Sequence, residues 1–218
     1  MTTVAVLPIK RFEGAKERLA GALSPGTRRA LAQAMAADVL TALRRAQRID
    51  QVVVVTADRD AEALAAGHDA RPIADPAEPG HSAAALAGLR WAAERGADHA
   101  LVVPGDCPAV TPQELDALVL GVARRGPQAI VVPDRHGTGT NALLLTPPGA
   151  IEPSFGEGSR ARHEAAGAAA GASVRVEEPR GLLLDVDTAE DLEALRAALA
   201  AVRGGAAHTR GLLARLAR

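Results

Sequence analysis

Three aspartates have the residue type and the spacing to bind a metal ion. Asp185 and Asp187 stand two residues apart after the apolar run 181–184, so on an extended backbone both carboxylates point to the same side. Asp106 follows another apolar run, 99–103. Hard divalent cations prefer carboxylate oxygens, and buried carboxylates are costly unless a cation offsets their charge. We interpret all three as metal ligands at buried strand ends; a turn-forming Asp106 and a capping role for the later pair are the alternatives.

Four cations follow the first apolar run of the chain, residues 4–7. They are Lys10, Arg11, Lys16 and Arg18. Lysine is a compact point charge and arginine a planar fork, so together they can neutralise and orient phosphoryl oxygens. Ligands of open α/β sheets bind beyond the carboxyl ends of the strands, and this loop leaves such an end. The loop is therefore predicted to bind a polyphosphate, unless its charges only keep a solvated surface soluble.

Segments of small residues supply further candidate binding positions. Gly80 and Ser82 precede a predicted helix and suit contacts to a nucleotide base or sugar, with a plain N-cap as the alternative for Ser82. Two glycines and two threonines in loop 134–141 allow close approach of an anion, although a glycine-rich hairpin has the same composition. Loop 155–163 leads into a helix whose first amides could hold a carboxylate or phosphate.

Three other residues are interpreted as structural. Arg162 and His163 are expected to be solvated residues of the helix that follows their loop, with lining of the pocket as the alternative. Cys107 has no adjacent base in the sequence, so it is expected to pack in the core rather than act as a nucleophile.

The elements that must position these residues alternate between strand and helix, which is typical of an α/β fold. Strands are predicted at 4–8, 51–56, 70–74, 99–103, 128–133 and 142–146. Helices are predicted at 28–47, 60–66, 83–95, 112–124, in the segment that ends near 171, and from 189 to about 202. We expect one domain, 1–203, followed by a C-terminal tail, 204–218, that can form a helix and either packs on a partner subunit or is loose.

Composition excludes several classes of function. The 25 basic residues nearly balance the 26 acidic ones among 218, so there is no global positive field for nucleic acid. A single cysteine rules out an internal disulfide framework and fits a reducing cytosol. Nothing approaches the roughly 20 apolar residues that span a bilayer. We expect a cytoplasmic protein without a nucleic-acid or membrane partner.

Taken together and in order, the motifs resemble those of the guanylyltransferases of deazaflavin coenzyme F-420 biosynthesis, the phosphoenolpyruvate or 2-phospho-L-lactate guanylyltransferase family. The resemblance runs to about Leu195 and leaves the tail beyond Gly204 outside. The matching residues are Pro8-Ile9-Lys10-Arg11, Ala15-Lys16, Arg18-Leu19, Asp106 with Pro108, Gly137-Thr138-Gly139-Thr140, Phe155-Gly156 with Ser159, Ala161-Arg162-His163 and Asp185-Val186-Asp187-Thr188.

This resemblance implies a nucleotide-diphospho-sugar transferase fold of the glycosyltransferase-A type: a doubly wound, mainly parallel sheet with some antiparallel insertion. It implies Mg²⁺ on the three aspartates, and it implies roles for two further sets of residues. The acceptor's phosphate and carboxylate fall on Thr140, Gly156 and Ser159. The GTP phosphates fall on Lys10, Arg11 and Lys16, which would stabilise the leaving pyrophosphate.

The implied partners are GTP and a small phosphorylated carboxylic acid, with the product passed to a downstream transferase and a homodimer as one assembly. The sequence does not decide among phosphoenolpyruvate, 2-phospho-L-lactate and 3-phospho-D-glycerate as acceptor. The stretch Gly80-His81-Ser82 departs from the Gly-Leu-Asn common in the family, which leaves recognition of the base open. A molybdenum-cofactor or sugar-phosphate nucleotidyltransferase of the same fold and a non-catalytic nucleotide-binding module are the alternative functions.

Overall fold

The computed structural model describes residues 1–75, 80–122, 126–202 and 204–216, in which strands and helices alternate until two strands follow each other in the second half of the chain. The strands are β1 Thr3–Pro8, β2 Gln51–Thr56, β3 Arg71–Ala74, β4 His99–Val102, β5 Gln128–Pro133, β6 Thr140–Thr146 and β7 Ser173–Val176. The helices are α1 Pro25–Arg45, α2 Arg59–Gly67, α3 His81–Glu94, α4 Pro112–Leu120, α5 Ser159–Ala169, α6 Ala189–Ala201 and α7 Ala207–Leu216. Within these ranges no helix combines the length and the apolar character needed to cross a membrane.

The seven strands form one sheet in the order β3-β2-β1-β4-β6-β5-β7. Strand β6 runs antiparallel to β4 and β5, and the other neighbouring strands are parallel. Helices α1, α2 and α4 contribute to the core on one face, and α3 and α5 to the core on the other. The predicted fold class, a doubly wound and mainly parallel sheet with an antiparallel insertion, is confirmed.

The centre of the sheet explains the apolar first run. All six residues of β1 are buried, because β1 lies between β2 and β4 and is covered on both faces. On one face α3 packs very close to β1: a Cβ atom at Gly88 would lie 2.2 Å from Val6 Cγ1, which is a steric clash. Only glycine fits at this position. The strand order reverses between β1 and β4, and such a reversal opens a crevice at the carboxyl ends of the strands.

In the second half of the chain one prediction is wrong and one strand is missed. The apolar segment before Asp185 is not a strand: Arg180–Leu182 forms a 3₁₀ turn that buries Leu182, and residues 184–187 are irregular. The edge strand β7 is not anticipated, because it has only four residues and no buried face that would mark it by alternation. The predicted end of the fourth helix, Arg124, lies outside the described residues, and α4 ends at Leu120.

The C-terminal segment forms a helix that packs on α1 of its own chain. Leu212 and Leu213 of α7 are buried in a cluster with Leu31 and Met35 of α1. The carboxylate of Asp38, also on α1, accepts hydrogen bonds from the first backbone N–H groups of α7, those of residues 208 and 209, at 3.0 and 2.8 Å. An acidic side chain thus caps α7 from a neighbouring helix, where it also complements the helix dipole.

Replacing Asp38 by alanine is expected to lower the free energy of unfolding by about 1–2 kcal/mol, because two N–H groups of α7 lose their acceptor. Urea unfolding followed by circular dichroism measures this loss. Asp38→Asn keeps one acceptor oxygen and should lose less. An alanine variant as stable as the original chain would show that the cap does not hold α7.

Candidate active site

Three of the charged residues singled out above, Lys16, Asp106 and Asp187, meet where the strand order reverses. The ammonium of Lys16, in the loop after β1, lies 2.5 Å from Asp106 Oδ2 in the loop after β4, and 2.9 Å from Asp187 Oδ1. These residues are far apart in the chain, and the parallel pairing of β1 with β4 brings the first two loops to the same edge. One cation therefore joins three segments of the chain.

Lys16 is held firmly in its place. Its backbone is left-handed, with φ of 57°, and it precedes the 3₁₀ turn Glu17–Leu19. Its side chain is only 11% exposed. Burial alone would lower the pKa of this ammonium, but the charges of Asp106 and Asp187 outweigh burial and raise the pKa above its usual value. Lys16 is thus a permanent positive charge among the aspartates.

The three aspartates carry more negative charge than Lys16 can offset. Burial, followed by repulsion from Asp106, raises the pKa of Asp185 to about 6, although Asn141 donates a hydrogen bond to its Oδ1 at 3.1 Å. The buried Oδ1 atom of Asp106 has no hydrogen-bond partner among the described residues. Among the described residues, no group of three His, Cys, Asp or Glu side chains is arranged so that it could bind a metal ion without some movement. The donors nevertheless fit a hard divalent cation: carboxylate oxygens, one of them unpartnered, with a net negative charge.

The basic loop is hydrogen-bonded to β2 and to the residue that caps α2. The backbone N–H of Ile9 donates to the carbonyl of Val55 at 3.0 Å, and that of Phe12 donates to Asp58 Oδ2 at 2.8 Å. Between these two anchors Lys10 and Arg11 are exposed, and Lys10 also lines a cavity. The backbone that carries these two exposed cations is therefore held in place, which suits the binding of phosphoryl groups.

A cavity of about 210 Å³ opens beside Lys10. Its lining consists of Pro8, Ile9, Lys10, Ala57, Asp75, Gly80, His81 and Ala84. Gly80 is the N-cap of α3 and has φ of 121°, a backbone conformation that side chains with a Cβ rarely adopt. The structure thus brings Lys10 and Gly80 together at one cavity, while residues 76–79 of the loop before Gly80 lie outside the described residues.

Ser82 has a different place from the one that its sequence context suggests. Helix α3 begins at His81, so Ser82 lies inside the first turn and is not the N-cap. Its Oγ accepts a hydrogen bond from the backbone N–H of Phe155 at 2.8 Å. Ser82 therefore connects the start of α3 to the loop before α5.

The loop before α5 borders a second group of polar residues. His163 Nδ1 lies 3.0 Å from Thr140 Oγ1, and His163 Nε2 accepts from the backbone N–H of Ser154 at 2.8 Å. Because Nε2 accepts, the ring proton sits on Nδ1 and donates to Thr140, which leaves the threonine hydroxyl free to donate to a ligand. Nearby, Ser159 Oγ is buried with no partner among the described residues, and Gly156 has φ of 110°.

The expectation that Arg162 and His163 are solvated is wrong for His163 and incomplete for Arg162. His163 is fully buried, and burial followed by the charge of Arg162 lowers the pKa of its imidazole to about 4. Arg162 is exposed, but it donates hydrogen bonds to the carbonyls of Ser154, Phe155 and Glu157 and so fixes the loop. The helical spacing of Ser159, His163 and Gly167 marks the buried face of α5 and could have revealed the histidine.

Two more residues donate hydrogen bonds to the carbonyl of Leu182. Asn141, which the sequence does not single out as a site residue, donates both to the carbonyl of Leu182 at 2.7 Å and to Asp185, so it holds the irregular segment against β6. The packing role of Cys107 is confirmed: it is buried, its thiol donates to the same carbonyl at 3.5 Å, and burial raises its pKa well above the usual value. A thiol in this state is not a nucleophile.

Comparisons with known proteins agree with this geometry. The family described as guanylyl transferase CofC like matches residues 3–216, which includes the C-terminal segment that the resemblance leaves outside. The phosphoenolpyruvate guanylyltransferase of Conexibacter woesei is 54% identical over 219 residues, covering 100% of this chain and 98% of the relative. That of Sphaerobacter thermophilus is 43% identical over 195 residues, covering 89% and 93%.

A solved structure supports the fold alone. The structure of a protein from Desulfovibrio desulfuricans G20, named as a nucleotide-diphospho-sugar transferase, has a TM-score of 0.76 to this chain at 17% identity and covers 99% of this chain and 95% of that one. This agrees with the fold expected from the motifs.

The buried His163 should make stability depend on pH. In the unfolded chain His163 takes up a proton near the ordinary histidine pKa of about 6.5. In the folded chain its pKa is about 4, so it stays neutral until the pH falls to that value. Stability is therefore lost as the pH falls through this window, by about 2 kcal/mol between pH 7 and pH 5 for this one group. Urea unfolding of the original chain and of His163→Gln at both pH values isolates the effect, since glutamine does not titrate. Equal losses in the two proteins would contradict the buried neutral imidazole.

Proposed function

The chain belongs to the guanylyl transferase CofC-like family, and from this premise we propose that it transfers GMP from GTP to the phosphate of phosphoenolpyruvate in the biosynthesis of the deazaflavin coenzyme F-420. The observation that carries the proposal is the cluster of Lys16, Asp106 and Asp187, with a cation-rimmed cavity on one side and the polar group around Thr140 on the other. Full-length identity of 54% to a phosphoenolpyruvate guanylyltransferase supports the choice of acceptor.

The reaction needs no nucleophile from the protein. A phosphate oxygen of phosphoenolpyruvate attacks the α-phosphorus of GTP, a new P–O bond forms, and the bond to the β-phosphate breaks to release pyrophosphate. Catalysis then consists of positioning and of neutralising charge. Lys10 and Arg11, on the rim of the crevice, bind the phosphates that leave, and Lys16 adds a buried positive charge between the two substrates.

The three aspartates are proposed to hold Mg²⁺. Asp106, Asp185 and Asp187 supply the oxygen ligands that this cation prefers, and the unpartnered Oδ1 of Asp106 is a position from which it could be bound. When bound, the cation neutralises charge on the phosphates of both substrates. Lys16 then keeps its role as a counter-charge that holds Asp106 and Asp187 in register for binding.

The acceptor is proposed to lie against the loop before α5. The Thr140 hydroxyl is directed by His163 to donate outward, and Ser159 Oγ is a buried hydroxyl without a partner among the described residues. Both can donate to the phosphate or carboxylate of the acid. Gly156 allows the backbone to approach closely, and the first amides of α5 favour an anion.

The setting of the reaction follows from its chemistry. The product carries a labile diphosphate ester, so we propose that it passes directly to a downstream transferase in the cytoplasm. A homodimer stays a proposal. Since α7 packs on α1 of its own chain, the buried face of that helix is not its interface.

Pyrophosphate release is the measurement that tests the function. With Mg²⁺, GTP and phosphoenolpyruvate, and with the downstream transferase present to remove product, we expect release that exceeds that with ATP, CTP, 2-phospho-L-lactate or 3-phospho-D-glycerate. Asp187→Asn should reduce release by at least about 100-fold and weaken Mn²⁺ binding, because one charged ligand is lost. Release with another acid would correct the acceptor. GTP binding without release for any acid would favour the non-catalytic module, and release only with a sugar phosphate or a molybdopterin would favour the other transferases.

The acceptor assignment predicts a selective effect at Thr140. Thr140→Val keeps the shape but removes the hydroxyl, so the KM for phosphoenolpyruvate should rise about 10-fold or more while the KM for GTP changes little. Thr140→Ser retains the hydroxyl and serves as the matched control. Steady-state kinetics with each substrate varied in turn measures both constants. A valine variant that raises both KM values equally would place Thr140 outside the acceptor site.

A further inference from the structure

The cavity beside Lys10 is lined by both hydrogen-bond acceptors and hydrogen-bond donors. Asp75 follows β3 directly, and its backbone N–H donates to the carbonyl of Thr56 at 2.9 Å, which fixes its position at the edge of the sheet. Asp75 lines the cavity, and no described residue donates a hydrogen bond to its carboxylate or forms an ion pair with it. One wall thus offers two acceptor oxygens.

The start of α3, which also lines the cavity, offers donors. Gly80 and His81 line the cavity at the start of α3, and the first hydrogen bond within this helix is from the N–H of Ala84 to the carbonyl of Gly80. The N–H groups of residues 81–83 therefore have no acceptor within the helix, and the helix dipole adds positive potential at the same end. This wall favours an oxygen acceptor on the ligand.

The remaining lining is aliphatic. Pro8, Ile9, Ala57 and Ala84 present apolar surface, which suits the faces of a flat ring. A volume of about 210 Å³ is smaller than the range of roughly 300–1,000 Å³ typical of sites for whole drug-sized ligands, so the cavity suits one part of a nucleotide. Lys10, which also lines it, leads from the cavity to the basic loop.

Guanine has the matching pattern of donors and acceptors. Its N1–H and its 2-amino group are two adjacent parallel donors, which the two oxygens of a carboxylate accept together. Its O6 is an acceptor on the neighbouring position. Adenine has an acceptor at N1 and an amino group at C6. In the same position its N1 would face the carboxylate, which is also an acceptor, and its amino group would face the N–H donors at the start of the helix.

We propose that this cavity binds the guanine base and that the carboxylate of Asp75 selects it by accepting from N1–H and the 2-amino group, with O6 directed to the start of α3. The inference rests on the proposed guanylyltransferase function and adds the residue that determines its nucleotide. Lys10 then receives the phosphates where they leave the cavity.

Asp75→Asn tests the proposal through a change of preference. The amide keeps an acceptor for N1–H but sets an N–H donor against the 2-amino group of guanine. Xanthine has an oxygen at C2, so the same amide donates to it. We expect the original chain to bind GTP much more tightly than XTP, and Asp75→Asn to change the ratio of the two Kd values by at least about 100-fold in favour of XTP. Isothermal titration calorimetry with GTP, XTP and ATP, without acceptor, measures these ratios.

A matched control and the turnover assay separate the possible outcomes. Glu62→Gln removes a carboxylate of α2 that does not line the cavity, and it should leave both Kd values unchanged. Equal weakening of GTP and XTP in Asp75→Asn, as expected if Asp75 contacted the ribose, would overturn the proposal, and so would an unchanged ratio. A reversed preference in a protein that releases no pyrophosphate with any acid would support the base site and contradict the proposed transfer reaction instead.

Discussion

The site depends on the repulsion among three carboxylates and on the single ammonium that offsets it. Burial raises the pKa of Asp185 most, and the nearby charges of Asp106 and Asp187 raise it further. Lys16 reduces this repulsion from a buried position, where the interaction is less screened than at the surface. The parallel pairing of β1 with β4 is what brings the loops of Lys16 and Asp106 together, so the strand order is a condition for the charge balance.

The two sides of the crevice are mechanically connected through Phe155. Its backbone N–H donates to Ser82 at the start of α3, and its ring stands edge-on to His81 at 4.7 Å and to His163 at 5.2 Å between ring centroids. Burial lowers the pKa of both histidines, so both rings are neutral near pH 7 and can pack against an apolar ring. Phe155 therefore contacts both the proposed base cavity and the proposed acceptor loop. A displacement of one of them would move the contacts that Phe155 makes with the other.

Much of the fold could be predicted from the sequence, since buried parallel strands such as β2 are continuous apolar runs and the capping box of Thr111 and Glu114 marks the start of α4. The strands and turns of the second half were less predictable. An apolar run of three leucines is typical of a strand, but the chain buries Leu182 in a 3₁₀ turn. The carbonyl of Leu182 is held there by a hydrogen bond from Asn141, which is distant in sequence. Contacts between segments distant in sequence leave no local signal.

The candidate site shows the same division. The types and order of the charged residues indicate where the chemistry is, but not which partner each residue has. Lys16 illustrates this, since a lysine in a basic loop suggests phosphate, whereas the fold pairs it with two carboxylates. The scarcity of aromatic residues has a consequence too: of the two phenylalanines and the single tryptophan, none lines the described part of the cavity. Stacking and aliphatic contacts discriminate poorly between purines, so selection of a base must come from hydrogen bonds at its edge.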